Sequence, residues 1–142
     1  MSVTLEAARS INQGLIGLVD WLLGVQIRVC VRRPVAAIRV GGDNPNLERN
    51  PDWIGLVITP NHPEYPSAHG CFSGGVTEAL RSYFRTDVFS FTIDSNVPNL
   101  MFPVRSYSSF SEALTDIRNA RMYGGMHYEN STLRGAPGGV AG

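Results

Sequence analysis

Two arginines and two histidines stand where oxyanion chemistry could take place. Arg33 precedes a proline, His69 follows Pro66-Ser67-Ala68, and Arg121 and His127 lie six positions apart. A guanidinium presents a planar fork of N–H donors that fits the oxygens of phosphate or vanadate. An imidazole can exchange protons or act as a nucleophile near neutral pH. These four side chains would suit a tetrahedral oxyanion if folding brings them together.

A helix start beside His69 would strengthen such a site. Ser67 is an N-cap candidate after two prolines, and the helix is predicted from Ser67 to about Arg85. The first turn of a helix offers unpaired N–H groups and a positive dipole end, which favour anions. The apolar stripe of this helix comprises Phe72, Val76, Ala79, Leu80 and Tyr83. His69 precedes Phe72 by three residues, so we expect it to face inward with the stripe.

Arg121 is predicted to lie on the apolar face of a later helix. Ser109 and Glu112 fit a capping box, and apolar residues follow at helical spacing until Gly124-Gly125. His127 comes directly after these glycines. A simpler interpretation stays open, in which Arg121 caps a carbonyl or pairs with an acid such as Asp116 or Glu78, and the His69 ring is exposed.

The other elements follow from periodicity and turn residues. Residues 5–31 have a helical pattern that Pro34 should end or kink near Arg33. Residues 41–53 are rich in Gly, Asn, Asp and Pro and predict consecutive turns. Residues 88–94 alternate as a short strand would, and the following residues are predicted to be a loop. The sequence therefore predicts a mostly helical domain.

Composition excludes several classes of protein. The 142 residues carry 12 basic and 12 acidic side chains, and this balance argues against a general nucleic-acid binder. The chain contains no lysine. The apolar run at residues 15–25 is too short for a membrane span and contains Asp20, and no signal peptide is recognised, so we expect a soluble protein. Cys30 and Cys71 are interpreted as core thiols rather than a disulfide.

Three segments resemble, in order, the motifs of the superfamily that joins vanadium-dependent haloperoxidases and type-2 phosphatidic acid phosphatases. They are "RRPVAAIR" at residues 32–39, "EYPSAHG" at residues 64–70 and "ARMYGGMHY" at residues 120–128. The similarity extends over residues 26–135 and favours the soluble haloperoxidase-like branch. It implies an all-α helical bundle of the haloperoxidase and acid phosphatase type, incomplete, with at most a short β-hairpin.

The resemblance also implies a role for each matching residue. His127 would be the vanadate ligand of a peroxidase or the nucleophile of a phosphatase, and His69 would be the general acid–base. Arg33 and Arg121 would neutralise the anion. The remaining oxyanion contacts would come from Ser67, Ala68, Gly70 and Gln26. The cofactor would be vanadate in a haloperoxidase and none in a phosphatase, with halide and hydrogen peroxide, or a phosphate ester, as substrates.

Four positions depart from the family motifs. Gln26 stands in place of a lysine, and the lost charge-assisted contact should cost about 1.5–3 kcal/mol of anion binding. Ala68 replaces a glycine, which is tolerated if its backbone is helical. Ala120 replaces a serine. Ser131 stands where an acid would orient His127, and we expect it to do so more weakly.

The resemblance also suggests how the chain is divided. Residues 1–25 are expected to form an N-terminal helical segment of unclear relation to the family, residues 26–135 the haloperoxidase-like core, and residues 136–142 a disordered tail. Compared with the family, we expect a shortened or altered product.

Two functions from different classes follow. The first is a haloperoxidase-like enzyme that oxidises halide with hydrogen peroxide or hydrolyses phosphate esters through a histidine. The alternative is a weak or inactive pseudoenzyme that acts as an oxyanion-binding or structural module, and homo-oligomerisation is open in either case.

A metal site from His62, Glu64, His69 and Cys71 is disfavoured because their spacing fits no standard zinc pattern. A hydrolase at Ser73 is disfavoured because the Gly-x-Ser-x-Gly elbow is missing.

Overall fold

The computed structural model of this chain describes residues 31–41, 44–55, 57–61, 63–95 and 101–134. Within these residues the chain forms four helices and two strands. In chain order they are α1 (Pro34–Val40), α2 (Ala68–Phe84), β1 (Val88–Asp94), β2 (Val104–Ser109), α3 (Phe110–Tyr123) and α4 (Glu129–Arg134). The predicted fold class, a helical bundle with at most a short hairpin, is confirmed. The predictions for residues 5–30 and 136–142, with Gln26 and Cys30 among them, lie outside the described residues.

A short helix follows Arg33, and the sequence did not predict it. Arg33 is extended (φ −67°, ψ 151°), so no helix passes through this residue, while the helix predicted before it lies outside the described residues. Pro34 then opens α1, where its missing N–H needs no partner. The Val35 N–H donates to the Gly125 carbonyl oxygen at 3.0 Å. Helix α1 therefore begins against the loop that carries His127.

Helix α2 begins as predicted, but its start is buried on a different side. The Ser67 Oγ accepts a hydrogen bond from the Gly70 N–H at 3.2 Å, which confirms the N-cap. The buried residues of α2 are Gly70, Cys71 and Gly74, whereas Phe72 from the predicted stripe is 49% exposed. A Cβ on Gly70 would lie 2.6 Å from the Thr132 carbonyl oxygen. Close backbone packing against α4, rather than apolar periodicity, therefore orients the start of α2.

Strands β1 and β2 form an antiparallel hairpin that packs aromatic rings against α3. Strand β1 is confirmed, and the loop predicted over residues 96–104 ends one residue early because Val104 begins β2. The sequence did not predict β2, which is largely polar. Phe91 lies opposite Tyr107 in the sheet register. The rings of Phe89 and Phe91 lie 5.5 and 5.6 Å from the Phe110 ring, and Phe110 is only 4% exposed. This cluster joins the hairpin to the bundle.

Helix α3 is capped at its start by side chains from both strand and helix. The Ser109 Oγ accepts from the Glu112 N–H at 3.0 Å, as the capping-box pattern predicted. The Glu112 carboxylate accepts from the Ser108 N–H at 2.7 Å and from the Ser108 hydroxyl at 2.6 Å. Asp116, one turn further along, accepts from the Tyr107 hydroxyl at 2.7 Å. These bonds fix the hairpin to the first two turns of α3.

Helix α3 ends in a Schellman motif, which sets the course of the chain into His127. The Met126 N–H donates to the Arg121 carbonyl at 3.1 Å, and the Gly125 N–H donates to the Met122 carbonyl at 2.9 Å. Gly125 has a φ of +65°, the left-handed conformation that this motif requires. A Cβ on Gly125 would lie 2.5 Å from the Trp53 ring. The turn therefore needs glycine for both its backbone angle and its packing.

Helix length gives no sign of a membrane span. Of the helices in the described part of the chain, none combines the length and the apolar character needed to cross a bilayer.

Replacing Phe110 with alanine should destabilise the domain by about 3–5 kcal/mol, because a cavity would open among the aromatic rings. Chemical denaturation monitored by circular dichroism measures the change. The matched control is Phe102→Ala, since Phe102 is 72% exposed, and its effect should stay within about 0.5 kcal/mol. Equal losses in both variants would contradict the proposed core.

The Gly125→Ala substitution should cost about 2–4 kcal/mol, because it places a side chain at positive φ and against a ring. Gly124→Ala is the control in the same turn: Gly124 is right-handed, and its Cβ would lie 3.1 Å from both the flexible Met126 side chain and the Ala120 carbonyl oxygen. We expect less than about 1.5 kcal/mol there. Urea midpoints of both variants measure the two costs, and a reversed order would refute the role of Gly125.

Candidate oxyanion site

Two guanidinium groups lie close together where the end of α3 meets the start of α1. Arg33 donates through Nη1 to the Met126 carbonyl at 3.4 Å and through Nη2 to the Pro63 carbonyl at 3.3 Å. The Arg121 carbonyl accepts from the Met126 N–H, so both arginines are tied to the same turn. Burial, followed by the positive charge of Arg33, lowers the pKa of Arg121. The two like charges therefore lie close enough to repel each other.

Arg121 carries buried donors that call for an acceptor. Its Nε and Nη2 atoms are both buried and have no hydrogen-bond partner among the described residues. Asp116 and Glu78, which the sequence left open as its partners, pair instead with Arg105 and Arg81. A buried charged donor without an acceptor is costly. An anion with several oxygens would satisfy these nitrogens and offset the repulsion from Arg33.

Glu64 is a buried acid that holds the loop carrying His127. Glu64 is 1% exposed, and its Oε1 accepts from the Tyr128 N–H at 2.8 Å. Its carbonyl oxygen lies 2.6 Å from His127 Nδ1, and its Oε1 lies 3.8 Å from the same nitrogen. The carboxylate also opposes the lowering of the Arg33 pKa that burial causes. Glu64 thus contacts the His127 imidazole and the Tyr128 N–H, and its negative charge acts on Arg33.

The contact with Glu64 determines which nitrogen of His127 carries the proton. A carbonyl oxygen can only accept, so Nδ1 must be the donor in the 2.6 Å bond. In the neutral ring the basic lone pair is then on Nε2. His127 is 1% exposed, so the surrounding protein holds the ring in this orientation. Nε2 is the atom suited to act as a ligand or nucleophile.

The start of α2 is joined to the same loop through α4. Ser67 is fully buried, and its N–H donates to the Ser131 carbonyl at 2.9 Å. Ala68 is the first residue of the helix and has no positive φ, so the alanine fits this position. The Gly70 N–H donates to the Ser67 Oγ in the cap, rather than toward an anion. The orientation of His127 by Ser131 stays a prediction, since the described bond to Nδ1 comes from Glu64.

Three of the predicted site residues lie around one turn. Arg33, Arg121 and His127 converge around the turn at the end of α3, as the spacing suggested. His69 is exposed in the first turn of α2, which corrects the expectation of an inward ring, because the neighbouring Gly70 packs against the backbone of α4. Gln26 and His62 lie outside the described residues.

Metal-ligating side chains do not cluster within the described residues. They contain no group of three or more His, Cys, Asp or Glu side chains that could hold a metal. Cys71 is a buried free thiol, as predicted for this cysteine, and burial raises its pKa to about 11. The electropositive arrangement of Arg33 and Arg121 favours an anion instead.

Sequence reasoning missed the part that Glu64 plays. It treated Glu64 as a disfavoured metal ligand and did not connect it with His127. The sequence offered one signal: Glu64 lies only three residues before Ser67, the residue that caps α2, so it must lie near the start of that helix. The long-range bond to residues 127 and 128 could not be inferred from spacing.

Comparison with known proteins indicates the family and the fold. Residues 26–141 match the family described as the VCPO second helical-bundle domain. The crystal structure of the first bacterial vanadium-dependent iodoperoxidase is similar over 92% of this chain, with 30% identity and a TM-score of 0.75. No match was found among curated proteins.

Two further solved structures are similar in fold alone. The apo and holo forms of a bacterial vanadium-dependent chloroperoxidase each align over 72% of this chain, with 23% and 22% identity and TM-scores of 0.56 and 0.57. The chain spans 30% of the length of the iodoperoxidase and 27% and 26% of the two chloroperoxidase chains. The match across residues 26–141 shows that this chain belongs to the vanadium haloperoxidase family, in its second helical-bundle domain.

Proposed function

We propose that this chain binds vanadate or phosphate between Arg33 and Arg121 and contributes this site to a vanadium-dependent haloperoxidase. The observation that carries the proposal is the pair of buried Arg121 nitrogens without a partner in the described part of the chain. Arg33 adds a second guanidinium beside them. The iodoperoxidase and chloroperoxidase similarities support vanadate as the anion.

The donor set fits an oxyanion in both charge and chemistry. Guanidinium N–H groups are donors without lone pairs, so they bind oxygen atoms of an anion and cannot ligate a bare cation. Two guanidinium charges also compensate the negative charge of vanadate or phosphate at neutral pH. When bound, vanadate supplies an electrophilic centre that activates hydrogen peroxide for halide oxidation.

In this proposal each protein group has a separate task. Arg33 and Arg121 hold the oxygens and offset their charge, while His127 presents Nε2 as the ligand. Glu64 is a positioning residue, because its carbonyl fixes the His127 tautomer and its carboxylate holds the next N–H. Ser67 contributes a buried hydroxyl at the start of α2.

The fixed tautomer of His127 also supports a second candidate function, the hydrolysis of phosphate esters. His127 Nε2 would attack phosphorus, forming a nitrogen–phosphorus bond as the ester oxygen leaves with the electron pair of the broken bond. The leaving oxygen takes a proton from a general acid, for which His69, exposed in the first turn of α2, is the candidate. Water would then release phosphate and restore the imidazole.

Arg121→Gln should weaken vanadate and phosphate binding by about 10- to 100-fold, since it removes a charge-assisted contact. Isothermal titration calorimetry with each anion measures the loss. Arg118→Gln is the matched control: Arg118 lies one turn earlier on α3, has a buried Nε without a partner among the described residues, and has a pKa lowered by burial alone. Equal losses in the two variants would contradict a specific role for Arg121.

His127→Ala should lower halide oxidation or phosphate-ester hydrolysis by at least about 100-fold while leaving much of the phosphate binding, because the arginines still hold the oxygens. Bromide or iodide oxidation with vanadate and peroxide, and phosphatase assays without vanadate, give the rates. Tyr123→Ala, at a position 71% exposed on α3, is the control that should keep activity. Unchanged rates in His127→Ala would remove the mechanism, whereas anion binding without turnover in the unmodified chain would identify an oxyanion-binding module.

A further inference from the structure

A groove of about 950 Å³ opens beside the proposed oxyanion site. One wall is formed by α1 and the other by residues 54–55, 57–61 and 63. Its apolar lining includes Val35, Ile54, Val57 and Ile58, and Arg33 stands on its wall. The groove therefore has two arginines, Arg33 and Arg39, in a lining that is otherwise mostly apolar.

We infer that this groove binds the apolar part of an organic oxyanion whose charged group lies between Arg33 and Arg121. The inference rests on the proposed function and extends it to a substrate class, namely phosphate esters or phosphonates that carry a compact apolar group. Inorganic phosphate would occupy only the charged end of such a site.

Arg33 is the residue that connects the groove with the oxyanion site. Its Nη2 bonds the carbonyl of Pro63, a groove residue, and its Nη1 bonds the carbonyl of Met126, next to His127. Its charge also reaches Arg121, whose pKa it helps to lower. A ligand whose charged group is held by Arg33 therefore has the groove as its adjoining space.

The groove walls favour an apolar group rather than a second charge. Ile54 and Ile58 are 80% and 96% exposed, and covering them would remove apolar surface from water. Arg39, the other arginine on the wall, donates its Nε to the Trp53 carbonyl at 2.8 Å and so is partly engaged. The volume lies within the range of small-molecule pockets, about 300–1,000 Å³.

The test compares three probes by isothermal titration calorimetry on the full chain: inorganic phosphate, methylphosphonate and phenylphosphonate. The two phosphonates share a phosphonate group and a stable carbon–phosphorus bond and differ in the attached apolar group, so the groove variants decide whether that group causes a difference in affinity. We expect phenylphosphonate to bind about tenfold more tightly than methylphosphonate, and vanadate to compete with it.

Matched double variants test whether the groove residues cause the difference in affinity between the two phosphonates. Ile54→Thr with Val57→Thr should abolish most of the tenfold preference and leave phosphate affinity unchanged. Ile93→Thr with Val104→Thr makes the same two changes on the hairpin, at residues 46% and 53% exposed, and should keep the preference. Circular dichroism melting curves verify that both variants are folded.

The outcomes separate the inference from the function on which it rests. Phosphate binding with equal affinity for the two phosphonates would overturn the groove assignment and leave the proposed oxyanion site standing. The groove assignment is likewise overturned if the hairpin variant loses the preference as fully as the groove variant. If none of the three probes binds, both the oxyanion site and the groove assignment are wrong.

Discussion

The buried contact between Glu64 and the loop at residues 127–128 is the constraint on which the candidate site depends. Glu64 reaches this loop from the segment before α2, across 63 positions of sequence, and bonds both the His127 ring and the Tyr128 N–H. The bond to the ring fixes the tautomer, and the bond to the backbone fixes the position of that ring. A buried carboxylate needs compensation, and the charge of nearby Arg33 supplies it. Glu64 therefore both orients His127 and balances the charge of Arg33.

The site also depends on how α3 ends. The Schellman turn through Gly125 carries the chain from Arg121 to His127 within a single compact turn, so that the His127 N–H donates to the Arg121 carbonyl at 3.4 Å. The same turn receives the start of α1, through Val35, and the ring of Trp53 packs against Gly125. Arg33 reaches the turn from the residue before α1. The start of α1, Trp53 and the end of α3 are distant in sequence and meet at this turn, whose backbone conformation requires glycine.

Charge, rather than shape, indicates what the site binds. Two neighbouring guanidinium groups repel each other, and two buried Arg121 nitrogens have no acceptor in the described part of the chain. Such an arrangement is unfavourable by itself and becomes favourable when an oxyanion supplies acceptors and negative charge. The groove beside Arg33 adds apolar surface to this electropositive centre. Membership of the vanadium haloperoxidase family is consistent with that electrostatic interpretation.

The sequence by itself determined the local features. Ser67 and Ser109 fixed the two helix starts because side-chain caps act within three residues, and the order of Arg33, Arg121 and His127 carried the family. Only the tertiary structure decided which side of α2 is buried, since the close approach of Gly70 to Thr132 outweighs apolar periodicity and turns His69 outward. It also decided the pairing of β2, a largely polar strand, and the contact of Glu64 with His127. Spacing along the chain predicts local hydrogen bonds such as helix caps. It does not determine which face of a helix is buried, because that depends on contacts with residues far away in sequence.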